Sequence, residues 1–227
     1  MERYAKQVKF IGRRMQKEVC NTTACIVGVG ALGTVAADLL ARAGMNLVLI
    51  DDDVVQLDNL QRQSLFSEKD IGRNKAEAAK GKLQEINSEI RISAMEVRLT
   101  ADNVSLIGNP GIILVCTDNM ESKSLINDYM HMKMKCIFGS AAGSKGIVYS
   151  YQPGKPCFRC IFGSKIGDTA NTIGILNSLT HIVGSMMANE AIKSIIGKPE
   201  DGLLQIDVMA NTLDKIKVRK TCGRCLS

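Results

Sequence analysis

Gly28, Gly30 and Gly33 follow the apolar run Ala24-Cys25-Ile26-Val27 in the order G-x-G-x-x-G. Residues of that type at that spacing bind phosphate. The first glycine permits a tight turn, the second lets the backbone approach the anion, and the third lets a helix pack on its strand. The N-terminus of that helix adds unpaired N–H groups and partial positive charge. Asp51, the first acid after the next apolar run, stands where a carboxylate can accept from ribose hydroxyls, with Asp52 and Asp53 as neighbouring candidates. By themselves these residues say only that a nucleotide binds.

Three further side chains narrow the chemistry. Arg62 lies in the loop Asp58-Asn59-Leu60-Gln61-Arg62-Gln63, Lys75 follows Gly72-Arg73-Asn74 at the head of a helix, and Asp118 follows the apolar run ending at Cys116. A hydride-transfer enzyme has no use for fixed charge at the phosphates, so an NAD-linked oxidoreductase leaves Arg62, Lys75 and Asp118 unexplained. Phosphoryl and nucleotidyl transfer require it, because charge accumulating on the phosphates is neutralised by Arg, Lys and a metal ion. Asp118, at the carboxyl edge of a sheet, is placed to hold Mg²⁺. Taken singly, each of Arg62 and Lys75 reads more often than not as a surface charge.

Cys157-Phe158-Arg159-Cys160 and Cys222-Gly223-Arg224-Cys225 are two C-x-x-C knuckles separated by a helix and two strands. Four thiolates so spaced suit a closed tetrahedral zinc site. A redox disulfide is the rival, but one C-x-x-C suffices for that and neither pair opens a helix in a thioredoxin-like setting. Cys20, Cys25, Cys116 and Cys136 lie in or beside apolar strands and read as buried thiols. His131 and His181 read as structural or surface residues.

The elements that position these groups alternate. Strands are predicted at 24–29, 47–50, 90–97, 111–116 and 135–138, with helices at 31–43, about 72–86 and 120–132, which gives a parallel sheet with right-handed crossovers. From Gly146 the pattern changes: a strand to Tyr151, the first knuckle, a polar loop from Gly163 to Gly174, a helix from about Ile175 to Ile196, and an antiparallel pair at 203–208 and 215–219. The expected fold is α/β, a Rossmann-like parallel sheet continuing into an antiparallel part with a four-cysteine zinc site. It reads as one domain over 1–227, divided into an N-terminal arm (1–20), a nucleotide-binding half (21–140) and a zinc-containing half (141–227).

Totals limit the alternatives. A chain of 227 residues that is 45% hydrophobic buries one sizeable core. Its net charge of +6 is spread along the chain and its aromatic content is 4%, against a clustered basic face with stacking rings for nucleic acid. No apolar run reaches membrane-spanning length and the first residues lack a secretory apolar centre, so a cytoplasmic location is expected.

In their order along the chain, Gly28 to Gly33, Asp51-Asp52-Asp53, Asn59-Leu60-Gln61-Arg62-Gln63, Gly72-Arg73-Asn74-Lys75, Cys116-Thr117-Asp118-Asn119 and the two cysteine pairs resemble the MoeB/ThiF/HesA family of ubiquitin-activating-enzyme-like adenylyltransferases. The resemblance covers nearly the whole chain. It implies a homodimer that binds ATP and Mg²⁺, adenylates the terminal glycine of a ubiquitin-like sulfur-carrier protein ending in Gly-Gly (such as MoaD or ThiS), and holds Zn²⁺ on Cys157, Cys160, Cys222 and Cys225. It implies that Gly30, Asn59, Arg62 and Lys75 meet the phosphates, Asp51 the ribose and Asp118 the magnesium. Asn119 neighbours the nucleotide, and Gly28, Gly33, Asp53 and Gln63 complete the site. Two departures stand out. Lys6 occupies the place of an arginine that reaches the partner subunit's ATP, giving charge without a bidentate fork. The loop from Gly167 to Gly174 has no cysteine, so adenylation is expected without an obligatory thiol step there. The alternatives are adenylation of a ribosomal peptide and a noncatalytic nucleotide-binding scaffold.

Overall fold

The computed structural model describes residues 2–163 and 173–226. Its framework is one eight-stranded sheet in the order β3-β2-β1-β4-β5-β6-β7-β8. β1 (Thr23–Val27), β2 (Asn46–Ile50), β3 (Ile92–Met95), β4 (Ile112–Val115) and β5 (Cys136–Ala142) pair in parallel. β5 then pairs antiparallel with β6 (Lys145–Tyr151), and β7 (Leu203–Asp207) and β8 (Thr212–Ile216) continue in that sense. The parallel strands are apolar on both faces because helices cover both.

Alternate residues of each strand feed two cores. Ile26, Leu47, Leu49, Ile112, Leu114 and Ile137 face the helices α3 (Ala31–Ala43), α4 (Lys75–Ile86) and α7 (Asn177–Ile195). Val27, Ile113, Val115, Cys136 and Phe138 face α5 (Met120–Met130) and the short α6 (Phe158–Phe162). α3 spans the residues predicted for it, and its end is set by Gly44 in a left-handed conformation whose N–H bonds to Leu40 and Ala41 carbonyls.

Several expectations are corrected. α4 starts at Lys75, not Gly72, because the Asn74 carbonyl oxygen Oδ1 accepts from Glu77 N–H at 3.1 Å and caps the helix there. The last strand is Thr212–Ile216, not 215–219. Asp207 Oδ1 accepts the N–H groups of Met209 and Ala210, and Asn211 takes a positive φ of 55°, so the chain reverses at once and pairing begins at Thr212. The N-terminal segment folds into α1 (Ala5–Ile11) and α2 (Arg13–Asn21), anchored where Gln16 donates to the Ala43 carbonyl at 2.9 Å and Asn87 donates to the buried Tyr4 hydroxyl at 2.9 Å. Cys20 therefore lies on a helix, whereas Cys25, Cys116 and Cys136 are buried in or beside strands.

Candidate functional site

The switch in strand order falls between β1 and β4, each of which leads to a different neighbour, and in open α/β sheets that is where a crevice forms at the carboxyl ends of the strands. Gly28 makes the turn out of β1 with φ +91°, and a Cβ there would stand 2.9 Å from the Cys116 carbonyl carbon at the end of β4. At Gly33 a Cβ would stand 1.9 Å from the Gly28 carbonyl oxygen, so the first turn of α3 packs against the turn only without a side chain. The tight turn and the close helix packing that the spacing predicts are both present.

Asp51 closes this turn from β2. Its Oδ2 accepts the Val29 N–H at 2.6 Å and its Oδ1 the Asp53 N–H at 2.9 Å. Burial raises its carboxyl above the usual carboxylate range, against the nearby Lys75 charge and the two N–H groups. Lys75, 7% exposed, places Nζ 2.7 Å from the Asp53 carboxylate, whose side chain is largely exposed. Asn74 ties the head of α4 to this edge by donating to the carbonyls of Asp51 and Asp53.

The remaining predicted residues arrive by different routes. Gln63 is buried next to Gly30, its Nε2 3.7 Å from where a Gly30 Cβ would lie, and its Oε1 has no partner among the described residues. Arg62 is half-buried and donates to the Asp58 carbonyl at 2.8 Å. Asn59 is spent locally: it accepts from Gln56 N–H and donates to Asp58. Asp118 and Asn119 are exposed just beyond β4, and Asn119 caps α5 by accepting Ser122 N–H at 2.8 Å. Lys6 does not join them. It is exposed on α1, whose next residue, Gln7, donates to the Ala43 carbonyl at 3.5 Å, at the far end of α3 from Gly30.

Sequence reading passed over Lys123 and Thr117. Lys123, 2% exposed on α5, donates from Nζ to Ser140 Oγ on β5, and burial pulls its pKa down to about 8 against the nearby Cys116 and Asp118. The Thr117 hydroxyl is buried without a partner among the described residues. Nothing in Met120-Glu121-Ser122-Lys123-Ser124 separates that lysine from a solvated one.

The two knuckles come together on the opposite side of the sheet. Cys157 Sγ lies 3.5 Å and Cys160 Sγ 3.4 Å from Cys222 Sγ, and all four sulfurs are within 4.8 Å of one another. Four thiolates about 2.3 Å from one ion sit about 3.8 Å apart, so the donor set fits tetrahedral zinc. Each knuckle turns through an N–H of its second cysteine onto the carbonyl of its first. Each also opens a short helix, α6 after Cys157 and α8 (Gly223–Leu226) after Cys222. Both helices are single turns that angle the sulfurs inward. His131 is structural, spanning the Tyr151 hydroxyl at 3.3 Å and the Arg224 carbonyl at 3.2 Å. The loop expected to lack a covalent thiol, Gly167 to Gly174, lies outside the described residues except for its last two.

A glycine cradle, a carboxylate and a lysine meeting at the switch point of such a sheet define a Rossmann-like α/β protein. The chain belongs to the ThiF family, whose description it matches over residues 4–226. It is 35% identical to the molybdopterin-synthase adenylyltransferase of Escherichia coli, with 98% of this chain and 94% of that one covered. It is 34% identical to the sulfur carrier protein ThiS adenylyltransferase of Bacillus subtilis, covering 95% of this chain and 67% of that one. Among solved structures, E. coli MccB with MccA-N7isoASN has the same fold, with a TM-score of 0.89 at 22% identity over 98% of this chain and 74% of that one. Among the described residues no helix is long and apolar enough to cross a membrane.

Proposed function

We propose that the chain adenylates the C-terminal glycine carboxylate of a ubiquitin-like sulfur-carrier protein with MgATP, releasing pyrophosphate. The observation that carries this is the meeting of the Gly28 turn, Asp51 and Lys75 at neighbouring strand ends, in a chain whose curated relatives are named as adenylyltransferases of such carriers or of molybdopterin synthase.

The carrier's carboxylate oxygen bonds to the α-phosphorus while the bond from that phosphorus to the bridging oxygen breaks, and pyrophosphate leaves with the electron pair. No general base is needed, since a terminal carboxyl with a pKa of about 3.5 is already ionised at neutral pH. Rate therefore comes from positioning and charge. Gly30 and the head of α3 present N–H groups to the phosphates. Asp51 has both oxygens engaged by backbone, but a carboxylate keeps further lone pairs for ribose hydroxyls. Lys75 exchanges Asp53 for phosphate, Arg62 swings from the Asp58 carbonyl to join it, and Asn59, Gln63 and Asn119 line the site. Asp118 is the residue that would hold Mg²⁺, whose chemistry is to neutralise the departing pyrophosphate. Cys157, Cys160, Cys222 and Cys225 would hold a structural Zn²⁺. The working unit is a homodimer in the cytoplasm, with Lys6 lent to the partner's site.

The test is exchange of labelled pyrophosphate into ATP. Exchange that requires an added carrier ending in Gly-Gly supports the reading; ATP binding with no exchange for any such carrier leaves a scaffold instead, and exchange only with peptides moves the substrate to the peptide class.

A further inference from the structure

The connection from β2 to α4 runs over residues 51–74, where roughly 2–6 residues are usual in an α/β unit, and a connection of that length calls for a function. Its two ends are zipped together. Val55 N–H bonds to the Arg73 carbonyl, Gly72 N–H to the Val55 carbonyl and Lys75 N–H to the Asp53 carbonyl, each at 2.9 Å. The excursion between them, 56–71, carries Arg62 and Gln63, whose N–H groups both bond to the Asn59 carbonyl. Asp70 ties its return to α4. This residue is 2% exposed, and its carboxylate accepts the Ser67 N–H at 2.8 Å and the Ser67 hydroxyl at 2.9 Å. The same carboxylate pairs with Arg73 at 3.2 Å and with Lys82 at 2.8 Å. Lys82 lies two turns beyond Lys75 on the same face of α4. A neutral side chain of similar volume would satisfy packing, whereas charge-assisted hydrogen bonds to the loop, its return and the helix also fix direction.

We propose that Asp70 is a positioning residue of the nucleotide site: bound to Lys82, it fixes the excursion that carries Arg62 and Gln63 against the helix headed by Lys75. This rests on the reading that MgATP binds at the switch point. Arg62 and Lys75 are each held within their own stretch, by the Asp58 carbonyl and the Asp53 carboxylate. Two like charges repel and cannot set their own spacing, so a third group has to set it for the triphosphate. Asp70 is bonded to both stretches, through Ser67 on one side and Lys82 on the other.

The experiment measures pyrophosphate exchange kinetics and native-state hydrogen exchange for wild type, Asp70→Asn, Lys82→Met and Lys82→Arg. In Asp70→Asn, KM for MgATP rises about tenfold or more, the scale of loss from misplaced binding groups, while KM for the carrier stays as in wild type. Lys82→Met moves the same way by a smaller factor, and Lys82→Arg, which keeps the charge, recovers most of it. The Gly72, Arg73 and Lys75 N–H groups exchange faster in Asp70→Asn and Lys82→Met, while those of β1 and β2 keep their protection. Should Asp70→Asn fail to fold, Lys82→Met, whose side chain is 30% exposed, carries the same readouts. A wild-type KM for MgATP in folded Asp70→Asn, or in Lys82→Met where the former does not fold, overturns the inference. So does an equal rise in both KM values, which marks a general loosening. A wild type with no exchange for any carrier overturns the functional reading instead, a result distinct from either.

Discussion

The Asp128 carboxylate on α5 takes two parallel hydrogen bonds from Arg159, 2.9 Å from Nε and 2.7 Å from Nη2. Arg224 Nη1 lies 3.3 Å from the same carboxylate, and Arg159 and Arg224 are the third residues of the two C-x-x-C knuckles. One carboxylate therefore ties both knuckles together. Asp128→Asn keeps the shape and removes the charge, at a cost of about 1 kcal/mol for a partly exposed pair, or roughly 2–4 °C in Tm for a chain of this size. Zinc transfer to a chelator should be faster in the variant. The acid limb should change as well. The hydrogen bond from Arg159 holds the Asp128 carboxyl below the usual range, so its stabilisation is complete above a pH of about 4 and is lost as pH falls through the folded value. Melting curves from pH 6 downward should fall less steeply for Asp128→Asn than for wild type.

Elemental analysis should give one zinc per chain, and stripping it should lower Tm by about 10 °C or more, since a structural zinc site contributes folding energy outright. Cys225→Ser should do the same with three thiols left. Titration of free thiols separates the redox rival, because a working disulfide pair would show two fewer thiols on oxidation and no metal dependence of Tm.

Arg62→Ala and Asp118→Ala should each lower pyrophosphate exchange about 10²–10³-fold, the size of effect expected when one group that stabilises transition-state charge is removed. Arg62 is half-buried and bonds a backbone carbonyl, so Arg62→Ala should melt within about 2 °C of wild type, and circular dichroism checks that Asp118→Ala is folded. Near-normal exchange in either folded variant would strip that residue of its role.

Much of this was legible because strand, glycine turn and helix announce themselves by period. Leu32, Val35, Ala36, Leu39 and Leu40 recur at helical spacing before Gly44, and α3 lies where they put it. The places of Asp51 and Asp118 in the fold were legible because each follows an apolar strand, and that of Lys75 because it heads a helix. What hid were residues whose role depends on what packs against them. α1 and α2 bury little beyond Gln16 and Val19, so their sequence reads as a polar arm. Lys123 looks like any lysine of an amphipathic helix until β5 is laid beside it. The strand β8 is exposed at all five positions, so no buried face fixed its register, and the hairpin turn set it instead.

Lys6 is the residue through which the proposed homodimer is most directly tested. It sits at the Ala43 end of α3, while the phosphate cradle lies at the Gly30 end, and a helix of 13 residues is about 20 Å long. On the proposed homodimer, Lys6 therefore reaches the partner's nucleotide and not its own. Lys6→Ala should lower exchange about tenfold, and Lys6→Arg should match or exceed wild type, because a guanidinium adds a bidentate fork to the same charge. Complementation gives the sharper measurement. In Lys75→Met every site lacks its own lysine, and in Lys6→Ala every site lacks the partner's, so each homodimer is impaired at both sites. Dissociating and re-mixing equal amounts forms hybrids in half the dimers, each with one intact site, and should restore about a quarter of wild-type exchange. No gain on mixing, in a preparation shown by light scattering to have exchanged subunits, would place Lys6 outside the reaction.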